Sequence, residues 1–318
     1  MNPLVELHAF GQSFWYDNIR RQFLLDGEVQ RLIDEDGLRG MTSNPTIFEG
    51  AIGGCEDYDA QIAELAALGA NVETIYEALA LADLQAACDL FAPLYASSGG
   101  ADGFVSLEVS PHLAHETGET VREARRLHEA VGRPNVMIKV PATPEGIPAI
   151  RQLTGEGINV NITLMFNMAH YEAVAQAYID GLRALLARGG DPRQVASVAS
   201  FFVSRVDTVV DKQLAALDDP AAAALLGKTA VANSRLVYQR YKEIFRSAAG
   251  EFADLAAAGA PVQRLLWAST GTKNKAYSDT LYIDELIGPD TVTTMPPATI
   301  DAFRDHGTVA NTLEKDID

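Results

Sequence analysis

Eight short apolar or β-branched runs recur along this 318-residue chain, and Ala/Leu-rich stretches with helical spacing separate most of them. The runs are "SFWYDNI" from Ser13, "LRGMTSN" from Leu38, "GFVSLEVS" from Gly103, "NVMIKVP" from Asn135, "NVNITLMF" from Asn159, "QVASVASFFV" from Gln194, "QRLLWAST" from Gln263 and "TVTTMPP" from Thr291. Strands that alternate with helices lie parallel in one sheet. Eight such units, with no Pro/Gly/Ser-rich linker or composition break between them, predict a single α/β domain over residues 1–318, a closed (β/α)8 TIM barrel. An open doubly wound sheet usually shows a glycine-rich turn after an early strand. GxGxxG is absent, and "GGCEDYDA" and "SSGGADG" lack its spacing and context.

Charge narrows the range of partners. With 43 acidic against 25 basic residues the formal charge is −18, and no Lys/Arg run interrupts it. A nucleic-acid backbone would be repelled over most of this surface. An anionic small molecule needs only a few basic residues converging in a cleft. Two cysteines, Cys55 and Cys88, form neither a disulfide framework nor a metal-binding CxxC, which fits a reducing cytosol and packing roles. The N-terminus lacks a basic stretch followed by an apolar core, and no segment approaches 18 uninterrupted apolar residues, so neither secretion nor membrane insertion is expected. A cytoplasmic monomer or homodimer is expected.

One residue stands out inside this pattern. Lys139 lies within the apolar run Val136–Val140, and lysine is among the residues least often buried without a partner. Because strand side chains alternate, one parity enters the barrel interior and the other meets the helices. Lys139 shares its face with Met137; Glu108 aligns with Ser106 and Ser110; Asn161 and Thr163 share a face, as do Ser200 and Phe202. Val160, Ile162 and Leu164 are expected on the helix side. Asp17, Thr42 and Asn44 sit near the ends of the first two strands. Polar groups on the inward parity toward the C-terminal strand ends are where barrel enzymes build their sites. In a plain core they would be unfavourable.

The residue types suggest a chemistry. A lysine in a partly dry pocket has its charged form disfavoured, and a neutral amine attacks carbonyls to give a Schiff base. Carbinolamine formation and dehydration need a proton shuttle, and breaking a carbon–carbon bond beside the iminium needs a base for the neighbouring hydroxyl. Asp17 and Glu108 can divide these tasks, with asparagine amides holding substrate hydroxyls in register. No cofactor is required.

In these residues the chain resembles the transaldolases. "MTSNPTIFEGAI" resembles the family's early Thr-x-Asn-Pro signature, "IKVPATPEGIPAIRQLTGEGINVNITLMF" its Schiff-base lysine strand and the strand after it, and "ASFFVSRVD" its phosphate-side strand, in a match running from about residue 10 to residue 310. The resemblance implies a class I aldolase-like barrel with Lys139 as nucleophile and Asp17 as the base for the C4 hydroxyl. Glu108 would act with Thr163 through a water. Asn44 and Asn161 would bind the dihydroxyacetone unit with Thr42 in support, while Ser200 and Arg205 hold the phosphate end. Phe202 matches the aromatic residue at the acceptor side. Related short-chain aldolases carry Tyr there and Gln in place of Glu108, so both positions point to transfer. The implied substrates are sedoheptulose 7-phosphate or fructose 6-phosphate as donor and glyceraldehyde 3-phosphate or erythrose 4-phosphate as acceptor, in the pentose phosphate pathway. The alternatives are an aldolase releasing free dihydroxyacetone, a sulfosugar transaldolase, and a non-catalytic sugar-phosphate binding module.

Two departures accompany the resemblance. Many members have a second phosphate arginine soon after "AS" on the seventh strand. Here the chain reads "ASTGTKNKAYSD", and Lys273 is the candidate substitute, with charge but without arginine's fork. This "STGTKN" form is usual in the branch also found fused to glucose-6-phosphate isomerase. Members of that branch continue past "LEKDID" into a helical tail, whereas this chain stops at Asp318, so a missing tail is expected.

Other residues have plainer readings. His112, His115 and Glu116 in "PHLAHE" lack the spacing of the His-Glu-x-x-His zinc helix, and no metal is expected. Asp17 alone could cap a helix beginning near Asn18. Thr143 and Glu145 either shape the "PATPEG" turn or support the site from behind. Ser200 and Arg205 alone could be a strand end with a surface ion pair. The pair Trp15 and Tyr16 is expected to pack.

Overall fold

The computed structural model describes residues 2–315 and 317. Its eight strands are β1 (Gln12–Asp17), β2 (Gly40–Thr42), β3 (Phe104–Glu108), β4 (Val136–Pro141), β5 (Val160–Met165), β6 (Ser197–Phe202), β7 (Arg264–Ala268) and β8 (Thr291–Met295). They pair in chain order and close into a barrel. The closing pair β1·β8 is parallel like its neighbours, with Trp15 opposite Thr294. The eight runs expected from sequence are thus the eight strands, and helices link them around the outside. The expected helical tail would begin past Asp318 and so lies outside the described residues.

Alternation divides the apolar residues into two separate cores. Val105, Leu107, Val136, Ile138, Val140, Val160 and Ile162 belong to the large core between barrel and helices. Trp15, Phe104, Met137, Val198, Leu266 and Val292 form a smaller core inside the barrel. Trp15 and Tyr16 both pack as expected, on opposite faces of β1. The Trp15 indole requires Gly40: a Cβ at position 40 would lie 2.6 Å from its ring. Below this layer a polar lock closes the N-terminal end. Asp102 accepts from Ser13, Arg39 and Arg264 at 2.8–3.2 Å.

The outer ring includes the 26-residue helix Val72–Ser97, which is long and apolar enough to cross a membrane by composition alone. The sequence-based expectation stands, because polar residues interrupt this helix and no stretch of it holds 18 uninterrupted apolar residues. Here its Leu84, Ala87, Cys88 and Phe91 face is buried in the large core. Asp83 on the same helix is buried too, accepting from Arg21 Nε and Tyr58 Oη at 2.7 Å each. Burial raises its carboxyl above the ordinary range despite these two donors.

β5 departs from regular alternation. Its ladder with β6 pairs Ile162 with Ala199 and Met165 with Phe201, so β5 spends one more residue than its partner over this interval. The extra residue forms a bulge at Leu164, whose φ is +65°, in the left-handed region that side chains other than glycine rarely occupy. Leu164 consequently faces a cavity at the C-terminal strand ends and is 37% exposed, while Met165 takes the buried outward position. The expectation that Leu164 points toward the helices is corrected accordingly.

Candidate active site

Strand register places the lysine between two chosen neighbours. Glu108 of β3, Lys139 of β4 and Asn161 of β5 are successive partners in one row across the sheet. Lys139 is 7% exposed, and its ammonium lies 3.1 Å from Glu108 Oε2 and donates to the Ser43 carbonyl at 3.2 Å. The Ser43 hydroxyl donates in turn to the Ser106 carbonyl at 2.7 Å, which pins the turn after β2. Asp17 and Thr42 form a second row, opposite each other on β1 and β2. Thr42 Oγ1 lies 2.7 Å from Asp17 Oδ1 and donates to it. Asp17 is thus turned to β2 and caps no helix; the next one, Arg21–Leu25, has Arg20 at its N-cap without a side-chain bond.

These groups line a cavity of about 710 Å³ at the C-terminal strand ends. Of the residues anticipated from sequence, Asp17, Thr42, Asn44, Glu108, Lys139, Thr163, Ser200, Phe202, Arg205 and Lys273 line it. Asn161 sits behind the wall, fully buried. Its Nδ2 donates to Ser106 Oγ at 3.0 Å, and its Oδ1 accepts from Ser200 Oγ at 2.6 Å. Asn44 has a local task as well: its Oδ1 accepts the Ile47 N–H at 3.0 Å, capping the helix Pro45–Gly53. Thr163 is 1% exposed, and its backbone carbonyl accepts from the Ala142 N–H.

Two cationic residues besides Lys139 line the cavity. Arg205, in the first turn of the helix Ser204–Ala215, holds its guanidinium 4.8 Å from the Phe202 ring centre. Phe202 packs on Phe166 with ring centres 5.4 Å apart. Lys273 is exposed in the loop after β7. Among the described residues neither Arg205 nor Lys273 has a carboxylate within ion-pair distance, so the Arg205 surface ion pair does not form. Two cations lining one cavity, one of them (Arg205) in the first turn of a helix, suit a phosphate.

Several participants were not anticipated. Ser43 contributes a backbone carbonyl, which has no side-chain signature. Leu164 and Ser269 line the cavity in left-handed backbone conformations, with φ of +65° and +56°. Thr294 of β8 lies 2.7 Å from Thr42 through its hydroxyl. Tyr76 lies in an adjoining groove that shares Glu108 and Pro45 with the site; burial, then Glu108 and Glu49, push its phenol up. His115 instead faces Glu145 at 3.2 Å on the surface. Thr143 shapes the "PATPEG" turn, donating to the Ala114 carbonyl at 2.6 Å and accepting from Gly146 N at 3.0 Å.

Comparison with known proteins agrees with this geometry. Residues 14–318 match the model of the Transaldolase/Fructose-6-phosphate aldolase family. The chain belongs to that family. Among similar members, the transaldolase of Trichodesmium erythraeum is 48% identical over 100% of this chain and 85% of its own length. The transaldolase of Thiobacillus denitrificans is 49% identical over 100% of this chain and 88% of its own length. That of a Parafrankia species is 52% identical over 96% of this chain and 83% of its own length.

Proposed function

We propose that this family member is a transaldolase, moving a dihydroxyacetone unit from a ketose phosphate to an aldose phosphate through a Schiff base on Lys139. The observation that carries the reading is the row Glu108, Lys139 and Asn161, of which Glu108 and Lys139 line the cavity together with Asp17 and Thr42. Sedoheptulose 7-phosphate or fructose 6-phosphate is the donor, and glyceraldehyde 3-phosphate or erythrose 4-phosphate the acceptor. The setting is the pentose phosphate pathway in the cytoplasm.

Glu108, 3.1 Å from the lysine, takes one proton from the ammonium, and the neutral amine adds to the donor's C2 carbonyl. Glu108 and Thr163 then move the protons that convert carbinolamine to iminium with loss of water. Asp17 uses its oxygen away from Thr42 to remove the C4 hydroxyl proton, the C3–C4 bond breaks, and its electron pair enters the iminium to give an enamine. The aldose phosphate leaves. Addition of the enamine to the acceptor aldehyde reverses the sequence, with Asp17 returning its proton to the new hydroxyl.

The surrounding residues position the substrate. Asn44 and Ser200 set the hydroxyl face of the dihydroxyacetone unit, with the buried Asn161 behind Ser200, while Phe202 walls the acceptor side. Arg205 and Lys273 hold the phosphate. A cationic lining suits a ketose phosphate better than a free ketose.

Borohydride reduction with fructose 6-phosphate, followed by peptide mapping, tests this reading. A dihydroxyacetone-sized adduct on Lys139 supports it, and sugar-phosphate binding with no adduct refutes the chemistry. Adding erythrose 4-phosphate separates transfer from an aldolase, since a transferase forms little free dihydroxyacetone.

A further inference from the structure

Thr294 on β8 is 3% exposed, and its hydroxyl lies 2.7 Å from that of Thr42, which is itself 2.7 Å from Asp17 Oδ1. The direction of these bonds follows from counting protons. Thr42 has one hydroxyl proton and two neighbouring oxygens at equal distance. An ionised carboxylate only accepts, and a bond to it is stronger than one to a neutral hydroxyl. The Thr42 proton therefore goes to Asp17. Two hydroxyl oxygens at 2.7 Å need a proton between them, so Thr294 supplies its own to Thr42.

We infer that Thr294 is a positioning residue for Asp17, acting through Thr42 in a directed relay Thr294 → Thr42 → Asp17. The inference rests on the proposed role of Asp17 as the base. By accepting a hydrogen bond, Thr42 becomes a stronger donor, and its bond to Asp17 Oδ1 is strengthened. With Oδ1 occupied, the carboxylate's rotation is fixed and its other oxygen is kept for the substrate hydroxyl.

The fold makes the relay rigid. Thr42 and Thr294 are β-branched with few rotamers, and both come from barrel strands. The β8 end is tied down by Thr270, whose hydroxyl donates to the Thr294 backbone carbonyl at 2.7 Å. Without the Thr294 hydroxyl, the buried Thr42 oxygen loses a donor, and the geometry of its bond to Asp17 relaxes.

Steady-state kinetics of T294V, T294S, T42A and the double variant T42A/T294V, with fructose 6-phosphate and erythrose 4-phosphate, tests the relay. T294V should lower kcat about tenfold, the scale of one buried hydrogen bond, with KM for either sugar within about twofold. T294S restores the hydroxyl and should recover kcat to within about threefold of wild type. In the T42A background T294V should change little further, because its route to Asp17 is already cut. A raised KM with kcat unchanged would make Thr294 a substrate contact and overturn the relay, as would independent, multiplicative effects of T42A and T294V. Melting temperatures identify a misfolded T294V, in which case T294S alone must keep near-native kcat. A wild-type enzyme that forms no adduct on Lys139 would instead refute the underlying reading.

Discussion

Ser200 donates to Asn161 across 2.6 Å, so a hydroxyl from β6 aims a fully buried amide on β5. The Asn161 Nδ2 is committed to Ser106, so β3 and β6 hold this β5 amide between them. Serine at position 200 acts on the neighbour of the lysine, in addition to lining the cavity.

Ser200→Ala leaves the Asn161 carbonyl oxygen without its donor in a dry site. The expected result is a loss of about 1–3 kcal/mol in urea unfolding, together with a kcat several-fold below wild type. The kinetic effects of Ser200→Ala and Asn161→Ala should be strongly non-additive, and multiplicative effects would separate the two residues.

Arg205→Ala and Lys273→Ala should each raise KM for fructose 6-phosphate by about tenfold, consistent with loss of one exposed charge-assisted contact. With unphosphorylated fructose as donor, neither substitution should change kcat/KM by more than about twofold. Equal losses with both donors would remove these cations from the phosphate site.

Gly40→Ala forces a methyl group to within 2.6 Å of the Trp15 ring, which is packed inside the barrel. A loss of about 1–3 kcal/mol is expected from overpacking. Pairing it with Trp15→Phe should restore part of the loss in thermal unfolding. Failure of that rescue would place the strain elsewhere.

Acid should weaken the seam between the helices Glu28–Asp36 and Pro297–His306. Burial pushes Asp36 up, but Arg304, Asn2 and Arg31 outweigh it and hold the carboxyl below its ordinary range. A depressed folded value means that this contribution is intact above the unfolded value of about 3.9 and is lost as pH falls through the folded one. Asp36→Asn should therefore be less stable than wild type by about 1–3 kcal/mol at neutral pH. The difference should shrink below about pH 4 in denaturant titrations; a gap independent of pH would rule out the ionised pair as its source.

Much of the site was legible because a barrel strand presents every second residue inward. That rule alone placed Glu108, Lys139, Asn161 and Ser200, whose spacing along the strands is regular. It failed at Leu164, where an inserted residue shifts the count and leaves no compositional trace. Arg205 and Lys273 lie beyond strand ends, where no periodicity applies, and only the family resemblance pointed to them. Thr294 was on a readable parity, opposite Trp15, yet sequence could not bring it to Thr42, because barrel closure sets that contact. Ser200 illustrates a subtler limit: parity gave its face, but the direction of its proton needed the amide beside it.

The layer of Trp15, Phe104, Met137, Val198, Leu266 and Val292 beneath the lysine also sets the traffic of the reaction. Among the described residues these six side chains are almost fully buried, and the cavity above them opens at the C-terminal strand ends. Departing aldose, arriving aldehyde and intruding solvent must all use it in turn. On the proposed Schiff-base chemistry, whether an enamine is transferred or wasted then becomes a contest of arrival times at the cavity rim.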